Sequence, residues 1–239
     1  MQEEFQGHVL HGFLGVPDDW AFLEKWNRID LFDEKSFLPR KGLLPWARAF
    51  NSSVADSDQK NIIMGYSLGG RLALHALVDR PGLWDAAVII SAHPGLKNQE
   101  EKEERLRSDE KWANRFLTES WGSLMEEWNA QSVFSGKSLL PLRDEKNYSR
   151  TTLAEVLTGW SLGRQEDLRS KIEKLSIPVL WVVGEWDRKF VSIAKELKFS
   201  HPNSKVWIAS EAGHRVPWQQ TNAFSQELKT FFIMLREIL

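Results

Sequence analysis

The feature that most limits the fold of this chain is a series of short apolar runs, each bounded by turn-forming residues and followed by a stretch with helical spacing. Several runs are continuous rather than alternating, which is typical of strands buried on both faces of a sheet. A repeated strand-then-helix order predicts a parallel sheet covered by helices. The runs are residues 7–11, 28–32, 61–65, 86–91, 178–183 and 205–208.

The strand-then-helix order is interrupted between the fourth and fifth runs. Helical spacing recurs there at residues 100–112, 121–133 and 151–162, with no strand-like run between them. We therefore expect a helical cap at residues 93–175, inserted into a core that is formed by residues 1–92 and 176–239.

Composition excludes several classes of function. The 239 residues include 31 Lys and Arg against 33 Asp and Glu, so the chain lacks the basic field that nucleic-acid binding needs. The absence of cysteine excludes disulfides, Cys-type zinc sites, iron–sulfur clusters and a thiol nucleophile. No histidine pair has H-x-x-x-H spacing, and we expect no metal. The polar N-terminus and short apolar runs favour a cytoplasmic protein with no membrane contact, and we predict no obligate protein partner.

One short motif indicates catalysis by a serine. Residues 65–69, Gly-Tyr-Ser-Leu-Gly, fit G-x-S-x-G, the turn that presents a serine hydroxyl between a strand and a helix. A strand-like segment at 61–64 precedes the motif and a helix-like segment at 70–78 follows it. The order of these elements predicts that Ser67 is a catalytic nucleophile or base.

A serine hydroxyl needs a histidine to take its proton and a carboxylate to orient that histidine. His214 follows the last predicted strand, and Asp187 follows the strand before it. Both therefore lie beyond the carboxyl ends of strands, where ligands bind in open α/β sheets. The order Ser, Asp, His is that of the α/β-hydrolases; Glu185 is the alternative to Asp187 as the acid.

Backbone donors for a developing oxyanion are expected near Ser67. In such folds, the turn after the first strand supplies one N–H group, here that of Phe13, and the residue after the serine supplies the other, here Leu68.

Further motifs are spread over nearly the whole chain. They are residues 11–15 with Asp19-Trp20, residues 65–71, residues 93–96, residues 100–102 with Arg105, Trp112 with residues 115–118, residues 184–190, and Gly213-His214. Together they resemble the menaquinone-pathway synthases of 2-succinyl-6-hydroxy-2,4-cyclohexadiene-1-carboxylate. That family has an α/β-hydrolase fold with a helical cap.

The resemblance implies an elimination that needs no cofactor. Family members act on a cyclohexene that carries succinyl, carboxylate and enolpyruvyl groups, from which they remove a proton and expel pyruvate. By this resemblance Ser67, activated by His214 and Asp187, abstracts the proton. The N–H groups of Phe13 and Leu68 hold the oxygen that becomes negative.

A small polycarboxylate substrate requires fixed cations, and arginine binds carboxylates through two parallel hydrogen bonds. Arg71 lies one helical turn after Ser67, and helix side chains lean toward the N-terminus, so its guanidinium can approach the serine. Arg105 and Arg143 match family positions that bind substrate carboxylates, although a solvated charged face is an alternative for the first. Tyr66 and Trp128 match family pocket positions, with core packing as the alternative.

The chain departs from the family pattern in two places. Lys97 stands where the family has a glutamine, which puts one polar substrate contact in doubt. The strands that usually precede His11 are missing or shortened, which concerns the sheet edge.

Two other functions stay open at this point. A carboxylesterase or thioesterase could use the same three side chains through an acyl-enzyme on Ser67. A binding protein that retains the fold without catalysis is the second alternative, although the complete Ser, Asp and His set argues against it. A haloalkane dehalogenase is disfavoured, because that chemistry uses an aspartate where this chain has Ser67.

Overall fold

The computed structural model describes residues 5–33, 41–54, 59–134 and 143–239. The described residues contain one six-stranded sheet with the strand order β2-β1-β3-β4-β5-β6, and every pair of neighbouring strands is parallel. The predicted parallel sheet is confirmed, and each predicted apolar run contributes one strand. The strands are β1 (Phe5–Leu10), β2 (Asn27–Ile29), β3 (Lys60–Tyr66), β4 (Ala86–Ile90), β5 (Val179–Gly184) and β6 (Lys205–Ala209).

Helices cover both faces of this sheet, as the fold class predicts. The α-helices are α1 (Leu43–Ser53), α2 (Leu68–Asp79), α3 (Gln99–Thr118), α4 (Trp121–Asn129), α5 (Arg150–Gly159), α6 (Arg169–Glu173), α7 (Arg188–Glu196), α8 (Val216–Gln219) and α9 (Thr221–Ile238).

The core consists of two apolar layers, one on each face of the sheet. One layer packs α1 and α2 against strand side chains such as Ile63 and Trp181. The other packs Phe224 and Phe231 of α9 against side chains such as Met64 and Val182. Every residue of β4 and β5 is buried, which explains why these two segments are continuously apolar in the sequence.

A third apolar cluster joins the helices that lie between β4 and β5 in the chain. Phe116 of α3, Leu124 of α4 and Leu153 of α5 pack together, and Leu14 from the loop after β1 joins them. Leu168 and Ile172, at α6, belong instead to the core layer that contains α1 and α2. The limits of the cap, residues 93–175, stay a prediction.

Candidate active site

Ser67 occupies a strained turn between the end of β3 and the start of α2. Its φ of 51° lies in the left-handed region that residues with a side chain rarely adopt. Two glycines make this turn sterically allowed, because a Cβ on Gly65 would collide with the backbone of Gly69, and a Cβ on Gly69 would collide with the carbonyl of Leu10. The Ser67 N–H donates to the carbonyl of Ile90 in β4 at 2.8 Å. The sheet thus holds the serine in place from two neighbouring strands.

His214 lies between Ser67 and Asp187. Its Nε2 is 3.0 Å from Ser67 Oγ, and its Nδ1 is 2.6 Å from Asp187 Oδ2. Because the carboxylate accepts from Nδ1–H, Nε2 presents a lone pair to the serine hydroxyl. His214 and Asp187 are buried, whereas Ser67 is partly exposed. This arrangement can take a proton from the serine, and through it from a bound molecule.

Glu185, the alternative acid, lies elsewhere. It is exposed, and its Oε2 accepts the backbone N–H of Glu211 at 3.1 Å. Asp187 is therefore the acid that the structure brings to His214.

Aromatic rings surround the imidazole of His214. Phe190 contacts it edge-on at 4.8 Å between ring centroids, Tyr66 lies at 5.6 Å, and Phe134 at 5.8 Å. Such a shell restricts the access of water to the imidazole. The roles of Phe134 and Phe190 could not be predicted from the sequence, since an aromatic residue in a loop or a helix carries no signal that distinguishes a site wall from a core.

The residues that carry the predicted oxyanion donors line the same cavity as Ser67. Phe13 and Leu68 both line the cavity that contains the three linked side chains, and neither N–H donates a backbone hydrogen bond within the described ranges. The loop of Phe13 approaches the turn closely, because a Cβ on Gly12 would lie 2.8 Å from the Tyr66 ring. Two unpaired N–H groups in such a place are suited to hold a negative oxygen.

A cavity of about 630 Å³ opens onto Ser67. Four basic residues line it, and its lining includes only two carboxylates, Asp109 and Asp187, within the part of the chain that the structure describes. Four cations against two carboxylates leave the described lining with an excess of positive charge. The basic residues are Arg71, Arg105, Arg188 and Lys189.

Arg71 is a buried cation with neutral partners. Its Nη1 donates to Gln165 Oε1 at 3.2 Å and its Nη2 donates to the Trp160 carbonyl at 2.6 Å. No carboxylate lies within ion-pair distance of it among the described residues. Burial, with repulsion from Arg105, lowers the pKa of Arg71 to about 9. An anion in the cavity would compensate this charge.

Arg105 also lines the cavity, but it already has an anionic partner. Its Nε lies 2.9 Å from both carboxylate oxygens of Asp109 on the next turn of α3. Asp109 accepts a further hydrogen bond from Ser161 at 2.7 Å. These contacts hold the Arg105 side chain against the cavity wall.

Tyr66 and Trp128 both line the cavity. Tyr66 is buried, contacts Trp218 edge-on at 5.0 Å between ring centroids, and has a pKa that burial raises. Trp128 packs against Phe13 and, edge-on, against Trp112, at 4.9 Å in each case. Each ring thus has packing partners and also faces the space beside Ser67.

Arg143 does not join the cavity, contrary to the expectation from its family position. Its guanidinium donates two hydrogen bonds to the carboxylate of Asp19, at 3.0 and 2.7 Å. The pair is nearly enclosed, and Arg143 is absent from the lining of the cavity within the described chain. The guanidinium is therefore already neutralised by a carboxylate of the protein.

Lys97 also points away from the cavity. Its Nζ pairs with Glu196 at 2.7 Å on the exposed surface. A surface ion pair consequently occupies the position at which the family has a glutamine.

The alpha/beta hydrolase family matches residues 9–227. The chain belongs to the alpha/beta hydrolase family. A protein of Shigella sonnei (strain Ss046) named 2-succinyl-6-hydroxy-2,4-cyclohexadiene-1-carboxylate synthase is 36% identical over 236 residues, which cover 86% of this chain and 84% of that protein. A protein of the same name from Escherichia coli (strain K12 / DH10B) is 34% identical over 231 residues, with the same coverage of both chains. The resemblance that the motifs indicate is confirmed.

Solved structures agree on the fold. The MenH structure from S. aureus has a TM-score of 0.84 and 21% identity, and covers 99% of this chain and 96% of its own. A malate-bound esterase from Thermogutta terrifontis has a TM-score of 0.69 and 17% identity, covering 97% and 90%. At these identities the likenesses show the fold alone.

No helix in the described ranges is long and apolar enough to cross a membrane. Among the same residues, no group of three or more His, Asp or Glu side chains could hold a metal ion.

Proposed function

We propose that this enzyme eliminates pyruvate from 2-succinyl-5-enolpyruvyl-6-hydroxy-3-cyclohexene-1-carboxylate to give 2-succinyl-6-hydroxy-2,4-cyclohexadiene-1-carboxylate, a step of menaquinone biosynthesis. Two named synthases align with most of the chain. The observation that carries the proposal is the buried Arg71, a cation with no carboxylate partner among the described residues, in the same cavity as Ser67.

The base is Ser67, acting with His214 and Asp187. The serine hydroxyl gives its proton to His214 Nε2, and the serine oxygen takes a proton from a ring carbon of the substrate. The electron pair of that C–H bond moves into the ring as a new double bond, and the C–O bond to the enolpyruvyl group breaks. Pyruvate leaves as its enolate and receives the proton that His214 held, which restores the enzyme.

The substrate oxygen that becomes negative accepts hydrogen bonds from the Phe13 and Leu68 N–H groups. Donors that are already in place cost no reorganisation when the charge forms, and each is worth about 3 kcal/mol in comparable sites.

The carboxylates of the substrate bind to the basic residues of the cavity. Arg71 is suited to this because a carboxylate would neutralise a buried charge that now has only amide oxygens as partners. Arg105 adds a second cation on the cap side of the cavity. Tyr66 and Trp128 form part of the wall against which the ring packs. We do not expect Arg143 to contact the substrate, because the guanidinium of Arg143 is bound by Asp19.

Incubation of the purified protein with the enolpyruvyl cyclohexene substrate tests the function. We expect pyruvate to be released without any added cofactor or metal, and no acyl group to be found on Ser67 by mass spectrometry of the quenched enzyme. An acylated Ser67 together with rapid hydrolysis of simple esters would instead identify an esterase or thioesterase. No turnover with either class of substrate would identify a binding protein.

A cytoplasmic location and the lack of an obligate protein partner stay predictions from the sequence.

A further inference from the structure

We propose that His93 is a further substrate-binding residue, whose Nε2–H donates a hydrogen bond to a carboxylate oxygen of the substrate between Ser67 and Arg71. The inference rests on the proposed function and adds an uncharged donor to it. Three observations on the described residues support it: the tautomer of the ring, the lack of a protein partner for Nε2, and the position of the ring in the cavity.

The backbone sets the tautomer of His93. The N–H of Gly95 donates to His93 Nδ1 at 3.1 Å, so Nδ1 presents a lone pair and the proton of the neutral ring is on Nε2. Gly95 has a φ of 125°, and a Cβ there would collide with the carbonyl of Glu166. The turn that supplies this N–H therefore requires glycine, and it fixes Nε2 as a donor.

The Nε2–H group has no protein partner among the residues that the structure describes. His93 is buried, with 6% of its surface exposed, and its ring lines the cavity. The Nε2 atom is open to the cavity rather than enclosed by the protein. An oxygen of a bound molecule would satisfy it.

Contacts relate His93 both to the base and to the buried arginine. On one side, Phe190 contacts His93 edge-on at 6.2 Å between ring centroids and His214 at 4.8 Å. On the other side, Gln165 donates to the His93 carbonyl at 2.9 Å and accepts from Arg71 at 3.2 Å. His93 therefore shares one cavity with Ser67 and Arg71, and one bridging residue relates it to each of His214 and Arg71.

The surroundings keep this donor uncharged. Burial is the main cause that lowers the pKa of His93 to about 3, and the charges of Lys189, Arg169, Arg71 and Arg105 lower it further. The imidazole consequently stays neutral at physiological pH, and its Nε2–H adds a directed contact to a cavity that already contains several cations.

Two substitutions separate the proposed contact from the structural role of the ring. In His93→Asn, the side-chain oxygen can still accept from the Gly95 N–H, but no donor reaches the Nε2 position. In His93→Gln, the amide nitrogen comes near the Nε2 position, but the acceptor for Gly95 is lost. His201→Asn is the matched control, because His201 Nδ1 accepts from the N–H of Asn203, also two residues on, at 3.2 Å, and His201 does not line the cavity.

The readouts are KM and kcat for pyruvate release, with the melting temperature of each variant. We expect His93→Asn to raise KM about tenfold while kcat stays within about threefold. His93→Gln should return KM to within about threefold of wild type, even if its melting temperature is lower, and His201→Asn should change neither constant.

The proposed contact and the proposed function fail in different ways. A wild-type protein that releases no pyruvate would overturn both. Wild-type release with an unchanged KM in His93→Asn would overturn the contact alone. A KM in His93→Gln as high as that in His93→Asn would also overturn it, since the ring would then serve only the turn. If His93→Asn does not fold, a KM in His93→Gln raised tenfold or more overturns the contact, and a KM near wild type supports it.

Discussion

The sheet side and the cap side of the cavity place their polar groups in different ways. On the sheet side, strand ends hold Ser67, Asp187 and His214, which bond to one another in a single line. On the cap side, Arg105 pairs with a carboxylate on its own helix, and Arg143 turns away to Asp19. Backbone geometry therefore determines the position of the base. On the cap side, an arginine is available to a substrate carboxylate only to the extent that a carboxylate of the protein does not already bind it.

The largest expected loss of activity is on the sheet side of the cavity, at Asp187. In Asp187→Asn the amide can favour the wrong tautomer of His214, so that Nε2 no longer accepts from Ser67; we expect kcat to fall about 10⁴-fold. Glu185→Gln is the matched control, and its kcat should stay within about twofold of wild type. A similar loss in both variants, measured as the rate of pyruvate release, would contradict the assignment of the acid.

Arg71 provides the next largest effect, because its charge has no carboxylate partner among the described residues. We expect Arg71→Met to lower kcat/KM for the carboxylate-rich substrate about 100-fold. Hydrolysis of a neutral ester, if any is detectable, should change less than threefold. Equal losses on the two substrates would show that Arg71 supports the fold of the site rather than the binding of an anion.

Arg143 tests the cap side by a change in stability. Arg143→Met leaves the nearly buried carboxylate of Asp19 without its cation, and we expect the free energy of unfolding to fall by about 3 kcal/mol. KM should stay within about threefold of wild type, because the guanidinium lies outside the cavity. Chemical denaturation and steady-state kinetics on the same preparation check both parts. A large rise in KM with unchanged stability would return Arg143 to the binding site.

The smallest effect concerns acid stability. Burial is the main cause that lowers the pKa values of His8, His75 and His93, to about 4, 4 and 3. Between pH 6.5 and 4 the unfolded chain therefore binds more protons than the folded one, and stability falls as pH falls through this range. Each histidine contributes about 1.4 kcal/mol per pH unit to this slope.

His75→Gln isolates one of these contributions away from the cavity. Denaturation curves at several pH values should show a slope that is smaller by about 1.4 kcal/mol per pH unit than in wild type. An identical slope would indicate that His75 is protonated equally in both states.

The difference between backbone geometry and side-chain pairing also explains how much of the molecule could be predicted from the sequence. The continuous apolar runs identify β4 and β5, because a strand that is buried on both faces must be continuously apolar. The edge strands β2 and β6 of the described sheet are partly exposed, and their runs are shorter or mixed with polar residues. The positions of Ser67, Asp187 and His214 follow from the strands, since each lies in the connection that leaves the carboxyl end of a strand, and parallel strands end at one edge. The strained φ of Ser67 is also accessible from sequence, through the glycines of the motif.

Side-chain pairing could not be predicted in the same way. Arg143 meets Asp19, 124 residues away in the sequence, and nothing in local spacing distinguishes that partner from a substrate carboxylate. The role that we propose for His93 depends on the direction of a single N–H, that of Gly95, which is evident only from the folded turn. The motif at residues 93–96 indicated the family but not the orientation of the ring.

The rate of pyruvate release by Ser67→Ala tests most directly whether Ser67 is the base of an elimination. This substitution removes the hydroxyl and leaves the glycines of the turn, so the melting temperature should stay near that of wild type. We predict a rate lower by about 10³-fold or more on the enolpyruvyl cyclohexene substrate. A folded Ser67→Ala protein that releases pyruvate at close to the wild-type rate would contradict the account.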